Sequence, residues 1–93
     1  MGWNKIYTKL TKDTKIRAGD YVRLDVDTRP NTASWTNKNV GREFKVIRKD
    51  YDQLYVRVEF EDFAFPDDID EENDAAGYVE CADDIENFSL VKG

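Results

Sequence analysis

Apolar and polar residues alternate with a period of two over much of the chain, which is the pattern of β-strands with one buried and one wetted face. The clearest run is Leu54 to Glu61, where Leu54, Val56, Val58 and Phe60 alternate with Tyr55, Arg57, Glu59 and Glu61. Val22, Leu24 and Val26 alternate in the same way with Arg23, Asp25 and Asp27, directly after the turn residues Gly19-Asp20. A further strand is predicted over Arg42 to Lys49, starting where Gly41 releases the chain from a loop. Its Phe44 and Val46 point inward, Glu43, Lys45 and Ile47 lie on the opposite face, and Arg48 is a discordant inward position. Asp50-Tyr51-Asp52-Gln53 is short and polar, as a hairpin connection requires, so the strands on either side are antiparallel neighbours.

The ends carry weaker patterns. Ile6, Thr8 and Leu10 alternate with Tyr7 and Lys9 and predict an N-terminal strand, although Ile6 and Leu10 also sit at a helical i, i+4 spacing. Gly77 to Cys81 reads as a short strand, after which Asp83, with Glu86 three residues on, caps a helical turn that buries Ile85. Phe88 and Leu90 form a last strand. Nothing repeats internally and no Gly/Ser linker divides the chain. The prediction is one all-β domain over residues 1–93, with an N-terminal extension 1–14 and an acidic loop 61–76. About five short antiparallel strands with one helical turn before the last cannot form a two-sided open sheet in 93 residues, and should curl into a small barrel.

Charge sharpens this picture. Residues 1–57 hold 13 of the 14 basic and 7 of the 20 acidic residues, a net of +6, whereas residues 58–93 hold only Lys92 against 13 acids, a net of −12. Such a division points to an electrostatic partner, or to an acidic loop that neutralises the basic face of its own barrel. The acids are densest from Glu59 to Asp74, nine in sixteen residues with no Lys or Arg, and adjacent carboxylates with only Ile69 to bury predict a mobile surface loop. With 40% hydrophobic residues and no apolar run near 20 residues, the chain is expected to be globular, cytoplasmic and without a membrane partner.

Three segments carry a resemblance to a known family: Ile16-Arg17-Ala18-Gly19-Asp20-Tyr21-Val22-Arg23-Leu24, Val40 to Ile47, and Leu54-Tyr55-Val56-Arg57-Val58. Tyr78-Val79 followed by Asp84 to Val91 completes it. The chain resembles the small SH3-like barrel proteins with a KOW-like opening that occur widely in bacteriophage genomes. The resemblance implies an SH3-like barrel and, in a phage setting, a protein that modulates or inhibits a host factor. It gives no activity by itself, since such barrels serve as nucleic-acid binders, peptide binders and inhibitors alike. The N-terminal extension through Thr14, the long loop from Thr28 to Val40 and the acidic loop depart from the simple pattern.

Chemistry is sparse. The chain has no histidine, and its single Cys81 has no imidazole to activate it, sits in a predicted strand and reads as a small core residue. No Gly-rich phosphate cradle is present, so neither an enzyme nor a cofactor is expected. Asp68, Asp70, Glu72 and Asp74 alternate like the first ligands of a calcium loop, but Asn73 stands where the loop's glycine belongs and Val79 where its bidentate Glu belongs, so no metal site is expected.

Recognition surfaces remain. Trp35 lies in a polar loop with no apolar periodicity nearby; it is either an anchor for a protein partner or a plug folded back into one open end of the barrel. With Asp67, Asp68, Asp70, Glu71, Glu72 and Asp74 it forms the favoured surface, for a protein partner of a monomer or weak homo-oligomer, with nucleic-acid mimicry by the acids as one mode of binding. The alternative is a single-stranded nucleic-acid platform of Tyr21, Arg23, Lys45, Tyr55 and Arg57, with Lys49 beside them, all on the outward side of their strands. Against it stands local pairing, with Tyr rings beside Arg stems and Asp25, Glu43 and Glu59 neutralising the cations. The calcium pattern yields a first prediction: millimolar calcium leaves tryptophan fluorescence and melting temperature unchanged, and a saturable shift in either would reinstate a metal site.

Overall fold

Period-two segments become strands where turn residues let the chain reverse. The computed structural model describes residues 5–30, 34–59 and 78–92. Six strands, β1 Ile6–Lys9, β2 Tyr21–Leu24, β3 Glu43–Asp50, β4 Gln53–Glu59, β5 Tyr78–Asp84 and β6 Phe88–Lys92, make one antiparallel sheet in the order β1-β6-β2-β3-β4-β5, with a 3-10 turn Ile85–Asn87 before β6. The outermost strands β1 and β5 are not paired with each other, so hydrogen bonds do not close the sheet. Among the described residues no helix is long and apolar enough to cross a membrane.

One turn shows how the sequence sets the register. Gly19 has φ of +95°, which a side chain disfavours, and this lets its N–H reach the Val46 carbonyl at 2.8 Å while the Asp20 carbonyl accepts from Val46 N at 2.7 Å. Tyr21 then pairs with Lys45, Val22 with Phe44 and Arg23 with Glu43. The polar hairpin between β3 and β4 reverses over Tyr51-Asp52, with Tyr51 at φ 55°.

Strand limits differ from the pattern in instructive ways. β2 ends at Leu24 rather than running to Val26, because Asp25 turns its N–H to the Asn87 carbonyl and Val26 is left exposed. In β3 the register shifts between Val46 and Arg48, a β-bulge with Ile47 as the extra residue. Beyond it parity inverts: Arg48 pairs with Tyr55 on the outer face, while Lys49 pairs with Leu54 on the core side. Arg48 is therefore not an inward residue, and Lys49 is not part of the outward face; its Nζ reaches the Lys12 carbonyl at 2.6 Å. β5 runs on to Asp84, and the cap of the 3-10 turn is Asp84, not Asp83, with its carboxylate accepting from Glu86 N at 2.9 Å. Asp83 instead is 7% exposed and accepts from Asn87 Nδ2, Asp84 N and the Thr28 hydroxyl. Phe60, Glu61 and the predicted loop 61–76 lie outside the described residues.

The apolar face converges on one core of Leu10, Val22, Leu24, Phe44, Val46, Leu54, Val56, Val58, Cys81, Ile85 and Phe88. Burying each such side chain contributes roughly 1.5–3 kcal/mol. Cys81 is thus a small buried core residue, as its strand position predicts. No second layer of secondary structure covers this face among the described residues. Trp35 contributes part of the cover. Its indole meets Phe44 of β3 edge-on at 5.6 Å, stacks on Phe88 of β6 at 6.2 Å and makes a long hydrogen bond, 3.4 Å, to the Ala82 carbonyl of β5. It therefore bridges β5 and β6, which the sheet order keeps apart. Of the two readings of Trp35, the indole takes the inward one.

Truncating this bridge should loosen the whole sheet. Trp35→Ala is expected to lower unfolding free energy by about 2–3 kcal/mol in urea titration, below the range for a fully buried tryptophan because the indole is only half-buried. A change under 0.5 kcal/mol would mean that the ring does not support the core.

Candidate interaction surface

The loop that delivers Trp35 is ordered by polar groups, not apolar ones. Asp27 is its hub: Oδ1 accepts from the Thr36 hydroxyl at 2.7 Å and from Arg29 N at 3.1 Å, and Oδ2 accepts from Asn37 Nδ2 at 2.8 Å. Asn37 in turn accepts from Ser34 N, and Asn39 donates its side-chain amide to the Trp35 carbonyl. Gly41, at φ +88°, returns the chain to β2 by donating to the Leu24 carbonyl at 2.7 Å. The hydrogen bonds from Thr36 and Asn37 hold the Asp27 carboxyl below its ordinary pKa. Nothing in the apolar periodicity announces this loop; the cluster of Asp, Ser, Thr and Asn was its only sequence signal.

The outward face of the sheet assembles residues from all six strands. One row of cross-strand neighbours reads Tyr7, Val91, Tyr21, Lys45, Arg57 and Glu80. Tyr21, Arg23, Lys45, Tyr55 and Arg57 all lie on this face, as the period-two pattern predicts. Their electrostatics are another matter. Arg23 lies 3.9 Å over the Tyr7 ring and holds Asp25 at 2.8 Å. Arg48 lies 4.0 Å over Tyr55 and reaches Glu80 at 3.3 Å, and Arg57 lies 4.3 Å over Tyr78 and holds Glu59 at 2.8 Å. Each arginine of the face thus has one aromatic ring and one carboxylate of its own. A cation–π contact of this exposed kind contributes about 0.5–1 kcal/mol and an exposed ion pair about 0–1 kcal/mol, so the triads order side chains more than they stabilise the fold.

Glu43, a further carboxylate of the face, lies across from Arg23, but its hydrogen bonds come from other groups. It accepts two hydrogen bonds from Lys5 Nζ, at 2.9 and 3.0 Å, and one from the Tyr7 hydroxyl at 3.0 Å. Lys5 holds the Glu43 carboxyl below its ordinary pKa, with Tyr7 adding to the effect, and Glu43 raises that of Lys5. Tyr21 differs from the other tyrosines of this face: it is 50% exposed, and among the described residues no guanidinium lies over its ring. It stands between a depression of about 280 Å³, lined by Lys45, Arg57, Glu43 and Glu59, and one of about 420 Å³, lined by Lys5, Glu43 and Val91.

Trp35 is turned into the core, and Asp67, Asp68, Asp70, Glu71, Glu72 and Asp74 lie outside the described residues. Tyr7, Arg48, Tyr78 and Glu80 are members of the outer face that the strand pattern did not select, because pairing across strands depends on register. Among the described residues no group of His, Cys, Asp or Glu is gathered that could hold a metal ion. No protein-family model matches this chain, no curated protein matches its sequence, and no solved structure matches its fold.

The Asp27 hub makes Trp35 an acid-sensitive reporter. A carboxyl held below its ordinary pKa in the fold contributes stability above that ordinary value, and loses it as pH falls through the lowered one. In a Trp3→Phe background, Trp35 emission is expected to shift to the red as pH drops below about 4. Asp27→Asn, which turns an amide donor toward the amide of Asn37, is expected to show the shift at neutral pH. Identical pH profiles for the two proteins would exclude Asp27 as the hub.

Proposed function

We propose that this chain is a non-catalytic binding module, an SH3-like barrel, that engages a protein partner through the outer face of its sheet. The barrel assignment is supported by the order of strands β6-β2-β3-β4-β5 and by the 3-10 turn immediately before the last of them. In the phage setting that the sequence resemblance implies, the module modulates or inhibits a host protein, as a monomer or weak homo-oligomer.

One observation carries the choice of partner class. The arginines of the face are already paired with carboxylates, and three of its tyrosine rings are already covered by guanidinium groups. Phosphate backbones gain affinity by displacing counterions from uncompensated cations, and single-stranded bases need free ring faces, so this arrangement disfavours a nucleic-acid platform of Tyr21, Arg23, Lys45, Tyr55 and Arg57. Protein interfaces, by contrast, are enriched in tyrosine and arginine, and side chains held before binding lose less entropy on contact. Tyr21 is the anchor of this reading, with Lys45 and Val91 beside it. The acidic run from Asp67 to Asp74, which joins β4 to β5, is its second, charged contact. Trp35 has no direct role in binding and acts by keeping the sheet curved.

Affinity capture from the native host, followed by titration of the recovered protein, tests the reading. Tyr21→Ala is expected to weaken binding at least tenfold with the melting temperature nearly unchanged, since Tyr21 is half exposed, and Arg57→Ala by a smaller factor. A partner that binds both variants as tightly as the parent would remove the outer face from consideration.

A further inference from the structure

Three further cations gather away from the outer face. Lys15, Arg17 and Lys92 line one depression of about 310 Å³, together with Asp20, Leu90 and Val91, where the loop between β1 and β2 passes the C-terminal end of β6. Unlike Lys5, Arg23, Arg48 and Arg57, none of these three side chains has an ion pair, hydrogen bond or ring contact among the described residues. All three are exposed. The one carboxylate lining the depression is oriented by the backbone but keeps its charge: Asp20 Oδ2 accepts from Arg17 N at 2.9 Å, and Asp20 N donates to the Arg17 carbonyl at 3.1 Å, so the lining holds three cations against one carboxylate. With Gly19 bonded to Val46, this tight turn fixes the backbone from which Arg17 projects. Lys92 is fixed by the pairing of β6 with β1, where it faces Ile6. The floor of Leu90 and Val91 belongs to a strand paired on both sides, which leaves the three cations as the groups available to a ligand.

We propose that this end of the sheet is a phosphate-binding site, with Lys15, Arg17 and Lys92 as its ligating side chains. Among the described residues, three cations against one carboxylate around a shallow depression favour a ligand with several adjacent phosphates over a lone phosphate ion, because each added anionic oxygen meets a separate cation. The shared chemistry is a phosphate chain, either free polyphosphate or the backbone of a single strand of nucleic acid. The site adjoins the outer-face surface proposed above, sharing Val91 with it, but its ligating groups are other residues: it uses none of Tyr21, Lys45 or Arg57, and it needs neither their rings nor their ion pairs.

The test uses the full chain and two probes at about 50 mM salt: tripolyphosphate by calorimetry, and a fluorescently labelled oligothymidylate by polarisation. Binding of at least one probe is expected. For the oligonucleotide, log K should fall against log salt with a slope of about −2, which three contacts to a single strand imply. The triple variant Lys15→Gln, Arg17→Gln, Lys92→Gln should bind at least tenfold more weakly, whereas Arg57→Ala and Tyr21→Ala should bind as the parent does. Tripolyphosphate binding alone assigns the site to free polyphosphate, and oligonucleotide binding alone assigns it to nucleic-acid backbone. Absence of binding by either probe, or an unchanged affinity in the triple variant whose circular dichroism matches the parent, would overturn the site. Loss of phosphate binding with partner capture intact, or the reverse, separates this site from the outer-face reading.

Discussion

The apolar side of the sheet converges on one core, and among the described residues the indole of Trp35 is part of what covers it. The Trp35 side chain touches β3 and β6 through rings and β5 through a carbonyl, so it ties together strands that no backbone ladder joins. The strength of any one of these contacts is modest. Their effect comes from position: losing the bridge exposes apolar surface shared by several strands, including the rings of Phe44 and Phe88.

That bridge depends on a polar device. The Trp35 loop has too few apolar side chains to collapse by itself, so its shape is set by hydrogen bonds converging on Asp27, with Lys38 and Gly41 taking positive φ to complete the turns. Here a carboxylate that receives hydrogen bonds does the work that apolar packing does elsewhere in the fold. It also couples the loop to acidity. A surface carboxylate thereby bears on a core aromatic ring.

The outer face shows how a strand pattern can be read correctly and its chemistry still be altered by neighbours. Alternation placed Tyr21, Arg23, Lys45, Tyr55 and Arg57 on one side, and they are there. Read singly, they are cations and rings. In the sheet, Arg23 meets Tyr7 from a strand fifteen residues upstream, and Arg57 meets Tyr78 across β5. The face thereby becomes an array of ordered side chains in which each arginine has its own carboxylate, while a second group of cations, Lys15, Arg17 and Lys92, lies at the edge. Two surfaces with different demands on a partner result, one suited to shape and ring contact and the other to anionic oxygen.

The sequence by itself determined the β character of the chain, the inward residues of β2 and β4, the register-setting turn at Gly19-Asp20 and the burial of Cys81 and Ile85, because period-two alternation and glycine turns are local properties. It did not determine the parity beyond Ile47: a bulge inserts one residue and reverses every side chain after it, and nothing in Lys45-Val46-Ile47-Arg48 marks the insertion. Nor could it choose between the two fates of Trp35, decide which aspartate capped the 3-10 turn, or assign each arginine its ring and carboxylate. Those outcomes depend on residues distant along the chain arriving at the same place, and only the folded sheet brings them together.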